Sequence, residues 1–566
     1  MFIRESRSKR NDKVHRTFQI VESYRNESGI VRQRILLHLG PAYKFLEKDV
    51  DNLINGLLRA KGLTLERLDS DVDNVKYFGQ IYALIHLWKE LKLSQIIAKT
   101  KSSSKIQFDL EKHIKSLVFN RLDDPSSKLK LLTWLETVHI PGLNSEEIRY
   151  EYLLRAMDFL VKHKVIIESK ISNQILTMFD HELKLCFYDL TSTYFEADSS
   201  LTDDDMRKKG YSRDHRSDLE QIVIGVVMTQ DGIPLAHYTF PGNTSDKSTL
   251  IKVVEDIKKR FGVKAVILVA DKGLVSGNNL SFLVENGDDF ILGESIRQSK
   301  SARHVIEKAE QARINSNKDG EYIFEIEDEK QTTVFNPKSD EPEKKKRTSY
   351  KLKLRYVAGF NPDVRIKKYH TRQKRVTETL DYIEDIKKKD ITIEERYSQI
   401  KDLLSRKHLS RFFNVKINDN KILVDKIDKE FSYEEQGDGW FLVITQNKAF
   451  SKEEIIKRYK DLKYVEHGFF ELKHSLQLRP NFHWTENRIK AHVMVCFMAF
   501  QMAVLFEKRL QSIKLSWEKA MEKLRRIHVI EWENEGRLRK GLVKVKDEQI
   551  EIFKALGVPK PTVDSL

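Results

Sequence analysis

An acidic residue lies in the middle of a short apolar stretch of this sequence, at residues 184–191. The stretch reads Lys-Leu-Cys-Phe-Tyr-Asp-Leu-Thr and has polar sequence on both sides, which predicts a buried strand. The acid is Asp189, and an unpaired carboxylate in a core strand costs a large amount of free energy. The strand therefore needs a partner charge or a metal ion beside Asp189.

A second stretch repeats this arrangement. Residues 266–270 read Val-Ile-Leu-Val-Ala and are followed by Asp271, Lys272 and Gly273, so a strand ends in a carboxylate and a turn. In isolation, Asp189 would suit a structural ion pair and Asp271 a helix cap. Together they predict a cation shared between two strand ends, with a third acid to complete the site.

Composition narrows the class of protein. The chain has 566 residues, enough for about three to four domains of roughly 150 residues each. Hydrophobic residues make up 40% and charged residues 33%, which is typical of a folded chain with a sizeable core. The formal net charge of +15 favours a polyanionic partner such as nucleic acid, although basicity alone is weak support.

Several classes of protein are excluded. Two cysteines, Cys186 and Cys496, both in apolar runs, are too few for a disulfide framework or a cysteine zinc site. The sequence has no uncharged apolar run of about 20 residues and no signal-peptide core at its start. We therefore expect a cytoplasmic protein, associated with a bacterial or archaeal nucleoid and not with a membrane.

Hydrophobic periodicity predicts a multidomain α+β protein. A mostly helical N-terminal region precedes an alternation of strands and helices that suits a ribonuclease-H-like α/β core, interrupted by a β-rich insertion and followed by helices. We expect the insertion to have its own β core, a charged linker at 338–347 and a charged helical stretch at about 364–405. The predicted regions are 1–180 (a β-hairpin at 16–38 around the turn 26–29, then helices), 181–294 (first part of the core), 295–446 (the insertion), 447–513 (second part of the core) and 514–566 (a C-terminal region that could mediate dimerisation).

The third acid is expected on a helix after the insertion. Tyr459, Glu466 and Lys473 are spaced by seven residues, so on one helix they would share a face. That spacing selects Glu466 over the nearby Glu471. His467 has no matching set of histidine or cysteine partners, which argues against zinc.

Asp189, Asp271 and Glu466 resemble the Asp-Asp-Glu triad of insertion-sequence transposases. Tyr459, Glu466 and Lys473 are similar to the Tyr-Arg-Glu-Lys motif of the branch that carries a β-rich insertion before its glutamate. The resemblance covers roughly 183–510 well and the opening hairpin more loosely. Its supporting motifs are at 187–192, 241–246, 270–273, 478–480 and 483–484.

This chain departs from the motif at its arginine. Leu462 occupies that position, with Lys463 beside it, and Phe470 stands where many relatives have a second arginine. We expect Lys463 to substitute as a phosphate contact, but as a point charge without the bidentate fork of a guanidinium.

The resemblance implies an activity, a cofactor and partners. Asp189, Asp271 and Glu466 would hold two divalent ions, magnesium with manganese as a substitute, and Asp189 would bridge them. Tyr459, Lys463 and Lys473 would contact double-stranded DNA at the terminal inverted repeats, which the N-terminal region would recognise. The implied reaction is cut-and-paste transposition, cleavage at the ends and strand transfer into target DNA, by a homodimer in the synaptic complex.

Two alternatives remain open. One is a metal-dependent nuclease of the same fold that cuts without joining strands. The other is a catalytically inactive DNA-binding protein, either a relic or an inhibitor of transposition, which the missing motif arginine keeps under consideration.

Overall fold

A computed structural model describes most of the chain, in two compact units. The units are Met1–Asn74 with Glu531–Arg539, and Val75–Ile530 with Lys540–Leu566. The described residues are 2–10, 13–25, 31–41, 74–102, 105–179, 183–196, 205–297, 299–317, 320–335, 347–419, 421–534 and 537–566.

The first unit contains a three-stranded antiparallel sheet. Its strands β1 (Phe2–Arg10), β2 (Lys13–Arg25) and β3 (Val31–Pro41) are ordered β1-β2-β3. The expected hairpin therefore has a third strand before it, while its turn at 26–29 lies outside the described residues. Across β2 and β3, Arg34 pairs with Glu22 at 2.6 Å.

The second unit begins with a helical layer. Polar side chains set its helix starts, for example Asp109 and Ser127, each of which accepts a hydrogen bond from a backbone N–H of the first turn. The elements are β4 (Asn74–Tyr77), α1 (Gly79–Glu90), α2 (Leu93–Lys101), α3 (Leu110–Asp123), α4 (Lys128–Thr137), α5 (Tyr150–Lys162) and α6 (Lys164–Met178).

Strands and helices then alternate, as the sequence predicts. Gly232, at φ +75°, provides the left-handed backbone needed in the turn between the second and third of these strands. The first helix after these strands begins at Leu250, follows a 3₁₀ turn at Asp246–Ser248 and has no side-chain cap. The elements are β5 (Leu185–Tyr194), β6 (Gln221–Thr229), β7 (Pro234–Pro241), α7 (Leu250–Phe261), β8 (Ile267–Ala270), α8 (Gly277–Glu285) and β9 (Asp289–Glu294).

The segment predicted as an insertion has both strands and helices. Its elements are α9 (Lys300–Asn315), β10 (Tyr322–Phe335), β11 (Arg347–Phe360), α10 (Pro362–Lys388), α11 (Ile393–Arg406), β12 (Phe413–Asn418), β13 (Lys421–Lys426), α12 (Asp428–Gln436) and β14 (Trp440–Thr445). The charged linker predicted at 338–347 lies outside the described residues up to 346.

The expectation that this segment has its own β core is wrong. Strands β10, β11 and β14 continue the central sheet, because β14 pairs antiparallel with β9 and covers the edge that β9 would otherwise leave open. Only β12 and β13 form a separate hairpin, beside α10–α12. The central sheet has eight strands in the order β10-β11-β14-β9-β8-β5-β6-β7.

Helices follow the sheet. They are α13 (Lys452–Lys460), α14 (Lys463–Lys473), α15 (Glu486–Leu510) and α16 (Trp517–Arg525), followed by β15 (His528–Asn534), β16 (Arg537–Leu542) and α17 (Asp547–Leu556). Among the described residues one helix, α15, is long and apolar enough to cross a membrane. Its apolar window is 89% buried inside this unit, which is typical of a core helix.

A buried ion cluster joins the helical layer to the sheet. Glu168 of α6 is enclosed, with Lys164 Nζ at 2.8 Å, His237 Nδ1 of β7 at 2.7 Å, and Arg260 of α7 as a further partner. Burial opposes the ionisation of Glu168, but these three partners together lower its pKa. The chain is thus a mixed α+β protein whose helices and sheet are fixed together close to the predicted site.

Candidate active site

The two aspartates predicted from the strands lie side by side. Strands β5 and β8 are adjacent and parallel, and their register places Tyr188 opposite Ala270. The next residue on β5 is Asp189, and the next residue after β8 is Asp271. Because parallel strands end at the same edge of a sheet, both carboxylates come from neighbouring backbone positions in the middle of the eight-stranded sheet.

Asp189 lies in an environment that disfavours its charge. Burial, with the nearby carboxylates of Asp271 and Asp246, raises the pKa of Asp189 to about 7. The backbone N–H of Leu190 and the guanidinium of Arg213 act in the opposite direction but do not compensate. No described lysine, arginine or histidine is within ion-pair distance of Asp189. The structural ion pair considered from the sequence is therefore not formed.

Asp271 does not cap a helix. It precedes a short 3₁₀ turn, Lys272–Leu274, but its side chain accepts no capping hydrogen bond. Instead, Oδ1 of Asp271 accepts a hydrogen bond from the phenol of Tyr459 at 3.2 Å. Burial and the carboxylates of Asp271, Asp189 and Glu466 raise the pKa of Tyr459, so the phenol remains a donor.

The hydrogen bond between Tyr459 and Asp271 depends on a glycine. Gly293, on the neighbouring strand β9, faces Tyr459 so closely that a Cβ there would lie 2.4 Å from the phenol oxygen. It would also lie 3.0 Å from the backbone nitrogen of Lys272. The absence of a side chain at Gly293 therefore provides the space in which Tyr459 reaches Asp271.

The expectation that Tyr459, Glu466 and Lys473 share one helix is wrong. Helix α13 ends at Lys460 and α14 begins at Lys463, so Tyr459 is on a different helix from the other two. Leu462, at the break, is only 7% exposed and packs in the core. The core environment of this position suits an apolar side chain and not an arginine.

Glu466 and its competitor Glu471 differ in their surroundings. Glu466 is exposed in the first turn of α14 and is close enough to Tyr459 to affect its pKa. Glu471 is 8% exposed and accepts a hydrogen bond from Trp517 Nε1 at 3.1 Å. Glu471 thus has a structural partner, which leaves Glu466 as the acid on α14 that is available to a ligand.

The three predicted DNA contacts are in different situations. Lys463 is exposed, with its Nζ 5.5 Å from the ring centroid of Tyr464. Lys473 has a protein partner, because Nζ lies 3.0 Å from Asp214 Oδ1, and burial lowers the pKa of Lys473. Tyr459 is bound to Asp271 as described. A role in DNA binding stays a prediction for all three.

Sequence reasoning missed a polar group beside the site. Arg213 pairs with Asp246 at 2.6 Å, and Asp214 accepts from Lys473 and, at 3.3 Å, pairs with Arg479. Arg213 and Asp214 belong to a charged segment between β5 and β6 that has no hydrophobic periodicity. Arg479 could have been selected from the sequence, because it lies in the motif at 478–480 that supports the resemblance.

The first unit provides the comparison with known proteins. Residues 3–67 match the family model described as IS1634 family transposase, N-terminal domain. This match supports an insertion-sequence transposase. No curated protein matches the chain. The matched segment contains the sheet β1–β3 and ends well before the two aspartates, so it bears on the class of protein and not on the site.

The donors at the site are oxygen atoms. Within the described ranges, no three histidine, cysteine, aspartate or glutamate side chains are close enough to form a complete metal site. Asp189 and Asp271 nevertheless bring carboxylates together without a basic partner, and Glu466 approaches the same tyrosine. An all-carboxylate set with a deficit of positive charge fits a hard divalent cation such as Mg²⁺.

Proposed function

We propose that the chain is a transposase of the Asp-Asp-Glu type, which cleaves DNA at the ends of an insertion sequence and joins them to target DNA. The observation that carries this proposal is the register of β5 and β8, which brings Asp189 and Asp271 together without a basic partner. The family match of residues 3–67 supports the same class independently.

The strand order supports a ribonuclease-H-like core. Across β7-β6-β5-β8-β9 the sheet contains the third, second, first, fourth and fifth strands of the core in chain order. The first three strands are antiparallel, and the fourth and fifth run parallel to the first. The resemblance implies one aspartate on a first strand and a second after a later strand, and Asp189 on β5 and Asp271 after β8 agree with that order.

Three carboxylates are proposed to hold the metal. Asp189, Asp271 and Glu466 would bind two divalent ions, Mg²⁺ or Mn²⁺, which activate the attacking water or 3′-hydroxyl and stabilise the leaving oxygen. Tyr459 orients Asp271 through the hydrogen bond from its phenol. Lys463 is free to contact a phosphate, and Lys473 holds Asp214 in place beside the site.

The proposed transposase function also implies roles for the regions outside the core. We propose that the N-terminal region 1–180 recognises terminal inverted repeats, and that the C-terminal region 514–566 contributes to a homodimer. The protein would act on the chromosome in the cytoplasm of a bacterium or archaeon.

Cleavage of a labelled duplex that carries the inverted repeat flanking its own gene tests this proposal. With Mg²⁺, the wild-type protein is expected to nick at the repeat boundary. Asp189→Asn, Asp271→Asn and Glu466→Gln should each reduce cleavage at least about 100-fold, since loss of a ligand costs no less than loss of a residue supporting one. All three should still bind the duplex.

Glu471→Gln is the matched control, because Glu471 is on the same helix but bonded to Trp517. It should lower thermal stability and leave cleavage of the folded protein nearly unchanged. Nicking without subsequent joining to a target duplex would instead indicate the nuclease. Binding without nicking under Mg²⁺ or Mn²⁺ would indicate the inactive DNA-binding protein.

A further inference from the structure

A basic cavity of about 510 Å³ lies between the helical layer and the chain that follows α14. Its walls come from the end of α3, the start of α4, the segment after α14, and α15. The residues that matter for its chemistry are Arg121, Ser127, Lys128, Lys130, His483 and His492. None of them has been assigned to the site described above.

The cavity has buried positive groups without acidic partners. Lys128 is 7% exposed and Arg121 is 5% exposed, and no described carboxylate forms an ion pair with either. Nζ of Lys128 lies 2.9 Å from His492 Nδ1, and the Arg121 guanidinium donates to the carbonyls of Gln477 and Ser126. Both basic groups therefore have neutral hydrogen-bond partners, and burial beside Arg121 lowers the pKa of Lys128 because no carboxylate supports its charge.

The neighbouring groups do not supply a negative charge to this cavity either. Burial, Lys128 and Arg121 lower the pKa of both His483 and His492, and that of His483 falls to about 3. The ten-residue helix α4 starts at the cavity, with Ser127 as its N-cap, so the positive end of its dipole is there too. The imidazole of His483 has no hydrogen bond among the described residues and lines the cavity.

We propose that this cavity binds a phosphate group, and that the phosphate belongs to the backbone of bound DNA. A dianion would supply the charge that Arg121 and Lys128 lack and would accept hydrogen bonds from Lys128 and His483. The binding of phosphate stands without the proposed transposase activity, whereas the DNA as its source rests on that proposed function.

The position of the cavity supports DNA as the source. Pro480, Phe482 and His483 also line a second cavity of about 260 Å³, whose other walls include Tyr194 and Trp484. Arg479 lies 4.7 Å from the ring centroid of Tyr194 and pairs with Asp214, the partner of Lys473. Lys473 is on the same helix as Glu466, and from Lys473 a series of contacts leads through Asp214 and Arg479 to an aromatic pocket and then to the basic cavity, in the order that a DNA strand could follow.

Thermal unfolding in inorganic phosphate, compared with chloride at equal ionic strength, tests the site. Phosphate should raise the Tm of the wild-type chain, because it binds only the folded state. Lys128→Met removes the amine and keeps the length of the side chain. It should raise the Tm in chloride and reduce the phosphate-dependent shift at least threefold. Lys170→Met, at an exposed lysine of α6, should retain the full shift.

A second variant guards against a folding defect at position 128. His483→Asn should weaken the phosphate-dependent shift in the same direction, with far-UV circular dichroism unchanged. The proposal is overturned if phosphate does not stabilise the wild type more than chloride does. It is equally overturned if Lys128→Met and His483→Asn both respond as the wild type does.

The salt dependence of duplex binding identifies the source of the phosphate. If a DNA phosphate occupies the cavity, Lys128→Met should reduce the slope of log K against log salt by about 1, and Lys170→Met should not. An unchanged slope with an intact phosphate response would overturn DNA as the source and assign the cavity to a free phosphate compound. Neither measurement uses cleavage, so a failure of the proposed catalysis leaves both results interpretable.

Discussion

At the scale of single residues, Asp189 differs from other buried acids of the central sheet by having no basic partner. Asp288, just before β9, pairs with Lys258 at 2.9 Å, and Glu294 at the end of β9 pairs with Lys330 at 2.8 Å. Each of these acids is therefore balanced by a cation within the fold. An acid that has no cation partner within the fold is better explained by a ligand that binds to it.

Gly293 and Tyr459 give a prediction at this scale. Tyr459→Phe should lower the free energy of unfolding by about 1 kcal/mol and cleavage by about 10- to 100-fold, because Asp271 loses the donor that orients it. Gly293→Ala should lower the free energy of unfolding by about 1–3 kcal/mol, since its Cβ would meet the phenol oxygen at 2.4 Å. Denaturant unfolding and the cleavage assay measure both effects.

The double variant is the control for that contact. Removal of the hydroxyl relieves the closest clash, so Gly293→Ala with Tyr459→Phe should cost less stability than the sum of the single changes. Additive losses would mean that Gly293 acts through another neighbour, such as the backbone of Lys272 at 3.0 Å.

At the scale of elements, residues 362–438 form an excursion that leaves and re-enters the sheet at one point. Phe360, the last residue of β11, pairs with Trp440, the first of β14, and the backbone nitrogen of Asn361 donates to the carbonyl of Gly439 at 2.9 Å. The excursion buries its own apolar cluster, which includes Val376, Ile383, Ile400, Leu404, Phe412 and Phe413. The excursion therefore has an apolar cluster separate from those that cover the sheet.

Deletion of residues 362–438 is expected to leave a folded core. It joins Asn361 directly to Gly439, and Asn-Gly is a preferred two-residue loop for a β-hairpin, here between β11 and β14. The shortened chain should unfold cooperatively in urea, with a smaller m-value because less surface becomes exposed. Loss of a cooperative transition would show that α10–α12 are part of the core and not an excursion from it.

The sequence predicts elements better than it predicts their ends and partners. The hairpin around Gly232 and the strand before Asp271 follow from local pattern, because turn chemistry and apolar runs act over a few residues. The break at Leu462 was missed because a buried leucine is equally compatible with a continuous helix. The pairing of β14 with β9 was missed because strand partners distant in sequence leave no local pattern.

The same limit applies to the candidate site. Asp189 and Asp271 could be selected from their positions in two strands, and their adjacency then follows from parallel pairing. The role of Gly293 could not be predicted, because its significance is a distance to Tyr459 on a separate element. Arg213 and Asp214 could not be selected either, since charged residues in a segment between strands are usually solvated.

At the scale of the whole molecule, burial of neutral histidines links stability to pH. Burial is the main cause that lowers the pKa of each of six described histidines: His86, His113, His163, His237, His483 and His492. Each such group binds a proton more readily in the unfolded chain than in the folded one. The stability that it provides is present above pH 6.5 and is lost as the pH falls towards its folded pKa.

Acidification from pH 7 to pH 5 should therefore lower the free energy of unfolding. The contribution of His483 to this fall can be measured separately. Its pKa of about 3 when folded, against 6.5 as a reference, corresponds to a loss of about 2 kcal/mol at pH 5. His483→Asn should reduce the fall between the two pH values by that amount in phosphate-free buffer, as measured by urea unfolding. His467→Asn, at a side chain that is 67% exposed, should leave the fall unchanged. An equal fall in wild type and His483→Asn would mean that burial, together with Lys128, Arg488 and Arg121, does not keep His483 neutral in the folded chain.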